Sequence, residues 1–75
     1  MIHNTWLEEK PDFTEECILI TAQDFKTGWE YSIYQIRKTS LEGTAYMGWF
    51  SSDGEEYGDL FDCKADKYLT MALLK

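Results

Sequence analysis

With 75 residues, a net charge of −7 from 14 acidic and 7 basic side chains, and 16% aromatic content, the chain has the size of a single small domain, taken as residues 1–75. A chain this short buries only about 60% of the surface it exposes when unfolded, and a ligand cleft of about 300–1,000 Å³ would consume much of that interior. A deep enzymatic cleft is therefore not expected unless two chains build it. The negative field repels DNA, RNA and anionic membrane, which argues against direct nucleic-acid binding and favours solubility or a basic partner.

The charge is unevenly placed: residues 51–62 hold five acids and no base, whereas residues 63–75 hold one acid and three bases. Such runs ordinarily form solvated faces. Only Cys17 and Cys63 are present, too few for a disulfide-stapled secreted domain. Met1 is followed by His3, Asn4, Glu8 and Glu9 rather than by a basic start and an apolar run. No apolar stretch approaches the roughly 20 residues that cross a bilayer. A cytoplasmic location with reduced thiols is expected.

Residues 1–16 read as a lead-in segment that packs over one face, with Trp6 and Leu7 as anchors and Pro11 interrupting any helix. Residues 17–22 (CILITA) read as a short buried strand, and residues 23–28 as a hairpin connection. Residues 29–38 form the clearest strand. Trp29, Tyr31 and Ile33 fall on one face and Tyr34 and Ile36 on the other, which predicts a strand covered on both sides or bulged near Ile33. Glu42-Gly43 marks a turn. Residues 45–51 form a further strand, with Ala45, Met47 and Trp49 opposed to Tyr46 and Phe50. Residues 52–59 read as a loop around Asp53-Gly54.

The last segment supports two readings: Leu69, Ala72 and Leu73 suit a helical face, while Tyr68, Thr70, Ala72 and Leu74 alternate as in a strand. The expected fold is mainly β, a small antiparallel sheet of three to four strands at about 17–22, 29–38, 45–51 and 66–72. The alternative is α+β with a C-terminal helix at about 62–74.

The order Trp6, Pro11, Glu15-Glu16, CILITA, then Gly48-Trp49-Phe50 and Ser52-Asp53-Gly54, then Tyr68 and Leu73-Leu74 resembles the small phage and prophage proteins gathered as the domain of unknown function 551. The resemblance implies a setting in phage or mobile-element biology and no known activity. It also favours a strand for the last segment.

Chemistry-bearing residues are sparse. The acidic stretch Asp53–Asp59 offers oxygen ligands, but its spacing departs from a calcium-binding loop. His3, Cys17 and Cys63 lack the paired spacing of a structural zinc site. Glu15/Glu16 and Glu55/Glu56 are chain neighbours, which a strand would point to opposite faces. No catalytic, metal or cofactor-binding residue is assigned, and an enzyme is not expected. Cys17 is expected to be buried, and Cys63 more accessible, with a pKa raised by neighbouring acids.

Twelve aromatic residues exceed what so few residues can cover. Trp29, Tyr31, Trp49, Tyr57 and Tyr68 are therefore the candidate partner-binding residues. The expected role is a non-catalytic protein-interaction module or accessory factor. Two alternatives are an acidic decoy for a basic nucleic-acid-binding site and a minor enzyme or metal binder formed at a dimer interface. A homodimer is expected through an open edge at Tyr68–Met71.

Overall fold

A computed structural model describes residues 5–72. Five strands form one antiparallel sheet: β1 (Cys17–Phe25), β2 (Gly28–Leu41), β3 (Thr44–Phe50), β4 (Glu56–Asp59) and β5 (Lys67–Ala72). The spatial order is β4-β3-β2-β1-β5. That is one strand more than the sequence suggests. The extra strand is β4, which lies within the segment read as a loop. Its composition is poor for a strand, but pairing with β3 at a bulge between Trp49 and Phe50 holds it.

Turn chemistry sets the first three strands. Glu42 and Gly43 both have positive φ (51° and 82°), as a two-residue turn between right-twisting strands requires, and Leu41 pairs directly with Thr44 across it. In the first hairpin Phe25 pairs with Gly28, and Gly28 carries the positive φ. β2 is long because it serves two partners in succession. Its first part pairs with β1 over Gly28–Ile36 and its second with β3 over Gln35–Leu41. The sheet is therefore staggered, and the β2–β3 tip projects beyond β1.

Residues Lys67–Ala72 form a strand, so the helix over 62–74 is not adopted; Leu73 and Leu74 lie outside the described residues. A helix would have left the edge of β1 unpaired, whereas β5 adds a six-residue ladder from Cys17–Ala72 to Ala22–Lys67. Tertiary pairing outweighs the helix propensity of Ala, Leu and Met.

Topology decides where the core sits. β4 and β5 lie at opposite sides of the sheet, so the connection between them must cross a face. It does so through a 3₁₀ turn at Leu60–Asp62, capped by Asp59, whose carboxylate accepts from Phe61 N at 2.8 Å. Leu60 and Cys63 from this crossover pack with Cys17, Leu19, Ile36 and Tyr68 to form the buried cluster, flanked by Phe13, Tyr34, Met47, Trp49 and Ala65. The N-terminal segment closes the same face. Lys10 reaches the crossover and donates from Nζ to the carbonyls of Leu60, Phe61 and Cys63 at 2.7–2.9 Å. The crossover and the part of the N-terminal segment around Lys10 and Phe13 thus lie on one side of the sheet. β2 shows no register shift against β1 or β3, and the two-sided cover expected for it is absent among the described residues.

Candidate interaction surface

Registers fix the opposite face. Ile18, Ile20 and Ala22 of β1 share a side with Gln35, Ile33 and Tyr31 of β2 and with Met71, Leu69 and Lys67 of β5. Leu7 adds a short antiparallel bridge to Tyr68, its N–H and carbonyl exchanging 2.8 Å hydrogen bonds with that residue. Alternation then turns Trp6 onto this face, where its ring lies 5.8 Å from that of Tyr31. Trp6, Trp29, Tyr31, Ile33 and Met71 keep 38–60% of their surface exposed, above half-buried Ile18, Ile20 and Leu69.

No charged side chain falls among Ile18, Ile20, Tyr31, Ile33, Leu69 and Met71. Charge returns at the two ends. Arg37, whose Nε donates to Gln35 Oε1 at 2.8 Å, lies at one; Asp24 lies at the other, across from Trp29, with the Lys67 ammonium 5.1 Å from the Trp29 ring centroid. An exposed, contiguous apolar stripe on one sheet face is an association surface in physical terms, because water gains by losing contact with it.

The five aromatic residues singled out from sequence divide between environments. Trp29 and Tyr31 belong to this open face. Trp49 and Tyr57 lie on the opposite side, where Trp49, Tyr34 and Tyr57 form an edge-and-tilt cluster with centroids 4.9–5.6 Å apart. Tyr57 is exposed, while Trp49 is half-buried with an indole N–H that has no acceptor among the described residues. Tyr68 is a core residue at 4% exposure, its hydroxyl accepting from Ala65 N at 2.8 Å, so it is removed from the candidate surface. The crossover and Leu7 cover it, and neither contact is visible from strand alternation. Trp6 and Ile33 complete the open face although a search for aromatic strands passes over them. The signal that could have found Ile33 was its parity with Trp29 and Tyr31.

Cys63 is likewise corrected: it is buried at 1% exposure rather than accessible. Burial, not neighbouring acids, pushes its thiol pKa up, while Lys10 and Lys64 pull the other way. Burial raises the Cys17 thiol as well. Both cysteines are free.

In the acidic stretch, Ser51–Glu55 is a turn closed by Gly54 N to Ser51 O at 3.0 Å and Ser51 N to Glu55 O at 2.8 Å. Glu56 accepts from the Tyr46 hydroxyl at 2.6 Å. Among the described residues no group of three or more His, Cys, Asp or Glu side chains could hold a metal ion; His3 lies outside them. A solvent-open groove of about 520 Å³ beside β3, lined by Leu41, Glu42, Thr44, Tyr46, Gly58 and Asp59, contains no nucleophile–base pair. No described helix is long and apolar enough to cross a membrane. Comparison with protein-family models, curated proteins and solved structures finds no match to this chain.

Proposed function

We propose that this chain is a non-catalytic protein-interaction module that works through the open face of its sheet. The observation that carries this reading is the uncharged stripe of Trp6, Tyr31, Ile33 and Met71, left bare because the crossover, with Lys10 and Phe13 of the N-terminal segment, lies on the other side. Its centre has the composition of an association site, aromatic and aliphatic with charge only at the ends. The decoy reading is less well supported. A nucleic-acid mimic needs carboxylates free to face a basic surface, yet Glu16, Glu56, Asp59 and Asp66 each accept an internal hydrogen bond. Two free buried thiols fit a reducing compartment. The phage or mobile-element setting rests on the resemblance in sequence.

A photo-activated cross-linking residue at position 33, compared with the same residue at position 64 on the covered side, tests the reading in the native host. Discrete protein adducts are expected from position 33 and not from position 64. Adducts from position 64 alone, or from neither, would overturn it.

A further inference from the structure

We infer that the occupant of the open face is a second copy of this chain, packed face to face with its strands running opposite ways. The inference rests on the interaction-module reading and adds the identity and orientation of the partner. Its first support is area. Three rings with about 150–250 Å² each to bury, together with Ile33 and Met71, all about half exposed, supply on the order of 500 Å². Half-buried Ile18, Ile20 and Leu69 between them carry the total toward the roughly 600–800 Å² per partner of a stable interface.

The second support is the placement of charge. Arg37 and Trp29 each lie four residues from Ile33 along β2, about 13 Å at the rise of a strand, and Asp24 is the cross-strand neighbour of Trp29. A two-fold axis perpendicular to the strands and passing over Ile33 and Ile20 therefore sets Arg37 of one copy above Trp29 and Asp24 of the other. The Asp24 carboxylate attracts that guanidinium, whereas the Trp29 ring already has the Lys67 ammonium 5.1 Å from its centroid. An axis parallel to the strands and running over β2 would instead set Arg37 over Arg37. The net charge of −7 opposes any dimer, but no like charges meet at the centre of this one, and salt screens the remainder over about 8–10 Å. The face is thus complementary to itself in one orientation.

This geometry differs from an edge-to-edge dimer through Tyr68–Met71, since Leu7 already occupies the outer edge at Tyr68. Sedimentation equilibrium of the purified chain at micromolar concentration, in low and moderate salt, is the test. Wild type is expected at twice the monomer mass, and Ile33→Glu at the monomer mass with its β circular dichroism intact. Asp24→Arg and Arg37→Asp should each weaken the dimer about fivefold, and the double variant should recover most of that loss. The charge-swap pair keeps the test decisive should Ile33→Glu misfold. A wild-type monomer in both salts overturns the inference, as does a dimer indifferent to Ile33→Glu and to the charge swap. If the wild type is monomeric while position 33 still cross-links a different protein in the host, the interaction module stands and the second copy falls.

Discussion

Three carbonyl oxygens converge on the Lys10 ammonium, which makes one side chain the tie between the N-terminal segment and the crossover. The carbonyls belong to a tight turn in which Leu60 O also accepts from Cys63 N at 3.0 Å, while those of Phe61 and Cys63 would otherwise turn to water or a cap. Lys10→Met keeps the aliphatic stem and removes the donors. It should cost about 1.5–3 kcal/mol in urea-induced unfolding, the range for hydrogen bonds to a charged group. The buried thiols make a second prediction at this scale. Both folded-state pKa values are raised, so the thiols contribute stability that is complete below the unfolded thiol value of about 8.5 and is lost as pH climbs through the folded values. Burial lowers the Lys10 pKa, which acts in the opposite sense, so a comparison isolates the thiol effect. Cys63→Ala should flatten the fall of Tm with pH above about 9 relative to wild type. In native buffer both thiols should react slowly with a thiol reagent, and both should react at once after unfolding.

At the scale of elements, the Glu42-Gly43 turn combines a well-chosen residue with a strained one. Gly43 accepts its positive φ freely, but Glu42 at φ 51° carries a Cβ into the left-handed region. Asn tolerates that region better, so Glu42→Asn should stabilise by about 0.5–1 kcal/mol, read as a rise in Tm with an unchanged denaturant slope. Gly48 is constrained by packing instead. A Cβ there would meet the Phe50 ring and Thr39 Cγ2 at 3.1 Å and the Gly58 carbonyl at 3.3 Å. Gly48→Val should therefore cost about 1–3 kcal/mol by overpacking, measured by the same unfolding curves.

Across the whole molecule, the two faces of one sheet should respond differently to the same kind of change. Leu19 and Ile36 are fully buried beneath the crossover, so Leu19→Ala or Ile36→Ala should lose about 2–5 kcal/mol. Ile33→Thr on the bare face should lose less than about 1 kcal/mol at concentrations where the chain is monomeric. Equal losses on both faces would mean that Ile33 is covered in the monomer. The molecule is also longer than its chain length requires: its radius of gyration is 12.5 Å against about 11 Å for a compact domain of this size. Stagger along β2 accounts for the excess, since the tip around Leu41 extends past the end of β1.

Local chemistry by itself determined much of this. Composition located β1 as far as Ala22, though the strand runs on to Phe25 through residues that read as a hairpin connection. Period-two alternation located β2 and β3, and Glu42-Gly43 placed the second hairpin to the residue. It also assigned Ala45, Met47 and Trp49 to one face and Tyr46 and Phe50 to the other, as the register has them. These features depend on neighbours in the chain, so they are readable along it. The fate of each face was decided by tertiary structure alone. Alternation divides residues between two sides of a strand but cannot say which side will be covered. That depended on which way the β4–β5 connection crossed the sheet and on where Lys10 and Phe13 came to rest. For the same reason Tyr68 and Cys63 went inside, and Trp29 and Tyr31 stayed out with Ile33 and Trp6. β4 was hidden because its strand state comes from a cross-strand partner rather than from its own acidic, glycine-containing sequence. Contacts across 40 or more residues, such as Lys10 to Leu60, leave no periodic trace in a single chain, and they are what turned two equally apolar faces into a core and a surface.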